Sequence, residues 1–246
     1  MRRLSLDCVL FDVGGTLLRV VPSVGEIYSR VACEYGVLVE PHAVQAGFQA
    51  AWKRSVARSG SREHRTSDEI LRTEWFEIVK ESFGEAVPRV LMAPLFDDLY
   101  QRFASAEAWT VVPGVRETLQ YLRQQGLRLG VLSNWDSRLE RMLDDLELGP
   151  AFDFVVASYS VGYEKPHPAI FAEALRQAGT EPGRALHVGD SYFADIAPAS
   201  SLGLRTLWIA SDVDRHKEGY EGPWVPALPA VPAPFWGRIL TSDRGK

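Results

Sequence analysis

A chain of 246 residues, 46% hydrophobic and 24% charged, has the make-up of a globular protein large enough to bury a substantial core. Its formal net charge of -5 gives no reason to expect binding to nucleic acid or an anionic bilayer, and no apolar run approaches the roughly 20 residues that span a membrane. Two cysteines, Cys8 and Cys33, are too few for a disulfide framework. Met1-Arg2-Arg3 leads straight into a strand, so no leader peptide is expected and the location is read as cytoplasmic, as a monomer or homodimer.

The first element is Cys8-Val9-Leu10-Phe11, an apolar strand ending abruptly on Asp12, with Gly14, Gly15 and Thr16 following. The carboxyl end of a buried parallel strand is where open α/β sheets place their ligands, and glycines there let main-chain groups approach an anion. After Leu18 the pattern turns helical. Val24, Ile27, Val31 and Tyr35 recur at spacings of three and four before Gly36. Further helices are predicted over 41–56, 67–83 and 88–103, with Ser67 as the cap of the third. No strand pattern interrupts this region, so residues 20–106 read as a helical insertion.

From Trp109 the chain alternates. Strands are predicted over 127–132, 154–157, 185–188 and 205–209, the last strand of the chain. Helices are predicted from Pro113-Gly114 to Gly126 and over 139–146, 167–177 and 194–202. Alternation with short connections implies an α/β fold, a doubly wound parallel sheet with right-handed crossovers. Residues 1–19 and 107–246 form its core, with 20–106 as a cap over the active edge. In the tail from residue 211, five of the chain's 15 prolines fall between Pro223 and Pro234 and favour extended structure. Trp224, Phe235 and Trp236 argue for an ordered wrap over the core with a short terminal helix.

The chemistry collects at strand ends. Asp12 follows the first strand, Ser133-Asn134 the second, and Gly189-Asp190 a later one. Lys165 lies in an intervening loop, and Asp195 sits five residues past Asp190. Singly these are turn residues, a solvated cation and a helix cap. Together they can converge on one point, which unrelated turn residues have no reason to do.

These stretches carry a resemblance. Phe11-Asp12-Val13-Gly14-Gly15-Thr16-Leu17, Leu132-Ser133-Asn134, Lys165-Pro166 and His187-Val188-Gly189-Asp190-Ser191-Tyr192-Phe193-Ala194-Asp195 are similar, in order, to the four motifs of the haloacid dehalogenase superfamily. Ser133-Asn134-Trp135-Asp136-Ser137-Arg138-Leu139 resembles the subgroup of haloacid dehalogenase-like hydrolase domain-containing protein 3. The resemblance implies a Rossmann-like core with an inserted helical cap, and a Mg²⁺-dependent phosphatase acting on a small phosphorylated metabolite. Asp12 would attack phosphorus and form an aspartyl-phosphate. Asp12, the Gly14 carbonyl, Asp190 and Asp195 would hold the metal. Lys165 would neutralise Asp12 and the phosphoryl oxygens. Ser133, Asn134 and the amides of Gly14 and Gly15 would hold phosphoryl oxygens, and Thr16 would brace the loop.

One position departs from that pattern. Phosphatases of this superfamily carry a second aspartate two residues after the nucleophile, and Gly14 stands there. The missing group protonates the leaving oxygen and then activates water, a role worth about 10²–10⁴-fold. A halide needs no such proton, so a 2-haloacid dehalogenase is the alternative, against which the acidic pair Asp190 and Asp195 speaks. A phosphonate-cleaving enzyme using Lys53 and a non-enzymatic binding protein are further readings. In the cap, Lys53, Arg54, Arg58, Arg62, His64 and Arg65 form a basic run that could meet an anion, although a solvated face is the commoner reason for such a run. Trp52 and Trp75 read as core.

Overall fold

Strand β1 (Cys8–Phe11) is buried on both faces, because alternate side chains enter different apolar clusters: Val9 and Phe11 one, Cys8 and Leu10 the other. The computed structural model describes residues 6–59, 63–228 and 232–241. Met1–Arg3, Arg62 of the basic run, and Pro229 and the last five residues of the tail lie outside them.

After β1 comes a short β2 (Leu18–Val20), then helices α1 (Val24–Glu34), α2 (Pro41–Ser59), α3 (Asp68–Phe83) and α4 (Arg89–Arg102). Ser67 caps α3 as expected, accepting from the Ile70 amide at 3.2 Å, and Ser23 caps α1 through the Glu26 amide at 3.2 Å. The four helices enclose their own apolar cluster, with Tyr28, Val31, Leu95 and Leu99 at its centre. β3 (Trp109–Val111) then pairs antiparallel with β2, Leu18 opposite Val111. This two-stranded ribbon is a correction to the sequence reading, which placed no strand there. Three residues carry no period of their own, and their partner lies some 90 residues away.

The sheet continues through α5 (Val115–Gln124), β4 (Arg128–Ser133), α6 (Leu139–Asp145), β5 (Phe154–Ala157), α7 (Ser158–Val161), α8 (Pro168–Ala178) and β6 (Ala185–Gly189). A π-helical turn, Tyr192–Ile196, precedes α9 (Ala197–Ser201) and β7 (Arg205–Ile209). The tail holds α10 (Asp212–Lys217), β8 (Trp224–Val225) and α11 (Pro232–Thr241). Strand order is β5-β4-β1-β6-β7-β8, every pair parallel, in one six-stranded Rossmann-like sheet. β7 is therefore not the last strand. Trp224 and Val225 pair with Trp208 and Ile209 and extend the sheet. Among the described residues no helix is long and apolar enough to cross a membrane.

Helix α11 returns to α5, where Trp236 is fully enclosed and its indole N–H donates to Thr118 Oγ1 at 3.4 Å. Trp236→Ala is expected to lower unfolding free energy by about 3–5 kcal/mol in urea denaturation. A loss below about 1 kcal/mol, the size of an ordinary surface change, would show that the tail helix is not part of the core.

Candidate active site

The chain runs from β1 outward through β4 and β5, then returns to the other side of β1 for β6 and β7. Strand order thus reverses between β1 and β6, and the crevice at such a switch point is where open α/β sheets bind ligands. Asp12 follows β1 there, its amide donating to Val188 O at 2.9 Å, and Asp190 follows β6. Gly15 has φ +80°, and a Cβ on it would fall on the Asp190 carboxylate. A Cβ on Gly189 would likewise collide with Asp195. These two glycines let the acids stand this close to the loops.

Lys165 ties the site together. Its Nζ donates to Asp12 Oδ1 at 2.8 Å, to Asp195 Oδ1 at 2.5 Å and to Leu132 O at 2.9 Å, so all three ammonium protons are placed. Ser133 Oγ donates to the same Asp12 Oδ1 at 3.0 Å. Asn134 uses both ends of its amide on the Lys165 main chain, donating to Lys165 O at 2.9 Å and accepting from Lys165 N at 2.7 Å. The side chain of Asn134 thus holds the lysine's loop, beside the phosphoryl contact that the sequence reading gave to this position. Thr16 is buried, but its hydroxyl has no partner among the described residues. The loop is braced by main chain, with the Leu17 and Leu18 amides donating to Val13 O at 2.8 and 2.9 Å.

His187 is a residue the sequence reading left without a role. It is fully buried on β6, with Nε2 2.9 Å from Asp195 Oδ1. The signal was a lone imidazole inside an apolar strand, which needs a partner when buried. Asp195 Oδ2 accepts from the Ser191 amide at 3.0 Å, so both of its oxygens are engaged.

Charge follows from this geometry. Burial pushes the Asp12 carboxyl up, against the pull of Lys165. Burial opposes the charge of Asp195 as well, but Lys165 and His187 override it and hold that carboxyl well below the usual range. Lys165, despite burial, is held above its ordinary value by Asp12 and Asp195. Asp190 meets solvent on its outer face, yet desolvation and the charges of Asp12 and Asp195 push it up to about 8. Carboxylate oxygens of Asp12, Asp190 and Asp195 lie within 4.8 Å of one another. Three acids facing one ammonium leave surplus negative charge on hard oxygen donors, which suits Mg²⁺. Asp12 Oδ1 is taken by Lys165 and Ser133, while among the described residues its other oxygen is not engaged and the Gly14 carbonyl accepts no main-chain bond.

A raised folded-state pKa stabilises the protein below the unfolded value of 3.8 and is lost as pH rises through about 8. The lowered Asp195 acts only below that window. Metal-free protein is therefore expected to melt at progressively lower temperature from pH 5.5 to 8, and Mg²⁺ to raise the melting temperature more at pH 8 than at 5.5. Equal Mg²⁺ shifts at both values would show that Asp190 does not titrate there.

Of the basic run, Arg54 and Arg58 pair with Glu81 at 2.7 and 3.0 Å, and Lys53 is exposed. Among the described residues of the run, His64 and Arg65 are the ones that meet the loop carrying Lys165. The Glu164 amide donates to His64 O at 2.9 Å, the Thr66 amide to Gly162 O at 3.0 Å, and the Arg65 guanidinium lies 5.4 Å over the Tyr163 ring. Asp68 of α3 accepts from the Ser137 amide at 2.9 Å. The helical layer therefore touches the loop that carries Lys165 and the loop that follows Ser133. Trp75 stacks on Phe48 and Trp52, but Trp52 is 46% exposed, so only Trp75 behaves as core.

Comparison with known proteins bears on the family. A family profile of haloacid dehalogenase-like hydrolases matches residues 6–203. The chain is 38% identical over 212 residues to human haloacid dehalogenase-like hydrolase domain-containing protein 3, covering 84% of this chain and 83% of that one. It is 28% identical over 207 residues to a phosphoglycolate phosphatase of Pseudomonas putida, covering 82% of this chain and 68% of the enzyme. A solved dehalogenase in an intermediate complex shares the fold with a TM-score of 0.70 at 19% identity, over 97% of this chain and 99% of that one. The chain belongs to the haloacid dehalogenase-like hydrolase family.

Proposed function

We propose that this hydrolase is a Mg²⁺-dependent phosphatase of a small phosphorylated metabolite, working through an aspartyl-phosphate on Asp12. The observation that carries the reading is Lys165 Nζ bridging Asp12 and Asp195 at 2.8 and 2.5 Å, beside a third carboxylate, Asp190. Asp12, the Gly14 carbonyl and Asp190 would hold the metal, and Asp195, whose oxygens are already engaged, would orient Lys165. Mg²⁺ supplies charge that draws a phosphate dianion to an anionic nucleophile. Asp12 Oδ attacks phosphorus as the bond from phosphorus to the ester oxygen breaks and that oxygen leaves with its electron pair, and Lys165 balances the charge of both anions as they approach. Before substrate binds, Ser133 fixes the carboxylate rotamer through its bond to Oδ1, and its one hydroxyl proton would turn to a phosphoryl oxygen when the phosphate arrives. Water then attacks phosphorus, releasing phosphate and regenerating the carboxylate. We read the helices of residues 20–106 as a cap that shields these steps over a core of residues 1–19 and 107–246, closing through its contacts with the Ser133 and Lys165 loops.

Hydrolysis of p-nitrophenyl phosphate is expected with Mg²⁺ and is expected to stop in EDTA. Activity that survives EDTA would overturn the metal-dependent reading. One observation favours a second reading: Gly14 offers no carboxyl, and a halide leaves without a proton. Metal-free chloride release from 2-chloropropionate would favour dehalogenation over phosphoryl transfer.

A further inference from the structure

The space beside Gly14 is walled by an indole. A Cβ on Gly14 would lie 3.6 Å from Trp135 Cζ3, in ordinary van der Waals contact, and no other atom of the described residues beyond its chain neighbours comes within 4 Å. No polar atom therefore stands where a proton donor two residues past Asp12 would be. Trp135 is half-buried and leans on Trp109, their ring centroids 5.1 Å apart. Its backbone is fixed: the amide donates to Ser158 Oγ at 3.1 Å and the carbonyl accepts from the Tyr159 amide at 3.3 Å. The ring thus stands on a rigid base next to Asn134, whose amide clamps Lys165. Among the described residues around Asp12, Lys165 and Ser133 carry protons but spend them on Oδ1, and the carboxyl of Asp190 belongs to the acidic cluster that would hold the metal, so none of the three stands at Gly14.

We propose that the site selects aryl phosphates, whose ring packs on Trp135 and whose oxygen departs from phosphorus without a proton. The proposal rests on the phosphoryl transfer to Asp12 put forward above. As the bond from Asp12 Oδ to phosphorus forms, the bond from phosphorus to the aryl oxygen breaks, and its electron pair leaves as phenolate. A phenol has a pKa of about 10, so its anion is stabilised by the ring, whereas an alkoxide has no such relief. Water oxygen then bonds to phosphorus, the bond to Asp12 breaks with its electron pair returning to the carboxylate, and the water proton passes to solvent. No oxidant or reductant takes part. The apolar wall that denies an alkyl ester its proton gives an aryl ring a face to stack on.

The test compares kcat and KM for phenyl phosphate, p-nitrophenyl phosphate, ethyl phosphate and acetyl phosphate in the wild type and in Trp135→Leu, Trp135→Phe and Gly14→Asp. Wild type is expected to favour phenyl over ethyl phosphate in kcat/KM by about 10³-fold or more, and Gly14→Asp to narrow that gap by about 10²-fold. Trp135→Leu is expected to raise KM for the aryl substrates about 3–10-fold while leaving KM for acetyl phosphate unchanged. Trp135→Phe is expected to stay within about twofold of wild type, since it keeps a ring. The melting temperature and far-UV circular dichroism of each variant report an intact fold. Phenyl and ethyl phosphate turned over within tenfold of each other, or an unchanged aryl KM in Trp135→Leu, would overturn the proposal and leave phosphoryl transfer standing. Failure to hydrolyse even acetyl phosphate would overturn the underlying phosphatase reading.

Discussion

Asp12→Asn is expected to lower p-nitrophenyl phosphate turnover by on the order of 10⁴-fold or more, with the melting temperature of the metal-free protein unchanged or raised. The two outcomes have separate causes. An amide oxygen is too weak a nucleophile to take phosphorus, so the first bond does not form. Shape and most contacts persist, because the Asn carbonyl can accept from Lys165 Nζ and Ser133 Oγ as Asp12 Oδ1 does at 2.8 and 3.0 Å. The substitution also removes one of three clustered carboxylates, in a place where burial already pushes the Asp12 carboxyl up. Repulsion with Asp190 and Asp195 falls, and Lys165 keeps Asp195 as its counter-ion. Calorimetry beside steady-state kinetics separates the two effects. A variant that loses activity only because it melts would carry no information about the nucleophile.

Lys165→Met should reverse that pattern, with lost activity and a large loss of stability. Three acceptors lose a donor at once: Asp12 Oδ1, Asp195 Oδ1 and Leu132 O. Removing one member of a buried ion pair leaves an uncompensated charge and costs about 3–5 kcal/mol near neutral pH. The pH dependence has a definite sign. Without the ammonium, the Asp12 carboxyl, already pushed up by burial, rises further, and Asp195 loses the largest pull that holds it down, so both move upward. Stability from such groups is present at low pH and lost as pH rises. The gap between variant and wild type should therefore narrow from pH 7.5 to pH 5.5 in denaturant titrations. A gap that stays constant or widens toward acid would mean that the buried carboxylates do not depend on Lys165. Turnover should fall about 10²–10³-fold, the usual effect of removing one donor aimed at developing charge.

The parallel core was legible because each strand is a local event. Cys8–Phe11, Phe154–Ala157, Ala185–Gly189 and Arg205–Ile209 are short apolar runs bounded by turns, and the helices between them show a clear apolar face. Trp224–Val225 and the Leu18–Val20 ribbon were not legible, since two or three residues become a strand only by pairing with a distant partner. The same division runs through the site. Asp12, Ser133 and Asp190 could be placed because strand ends fix where such residues go. What Asn134 and His187 hold could not, because those bonds cross between loops and strands brought together by the fold. Thr16 is the reverse case: its type suggested a bracing hydroxyl, and main-chain bonds to Val13 O take that place. Gly14 was visible as an absence. That an indole stands beside it is a fact of tertiary structure alone.

The central claim is the covalent step at Asp12. It is tested most directly by acid-quenching the protein during Mg²⁺-dependent turnover of p-nitrophenyl phosphate, digesting it, and mapping phosphorylation by mass spectrometry. The predicted result is an acid-stable, base-labile phosphoryl group on the peptide containing Asp12, absent from Asp12→Asn. Active turnover with no label on that peptide, or with the label on another residue, would contradict it.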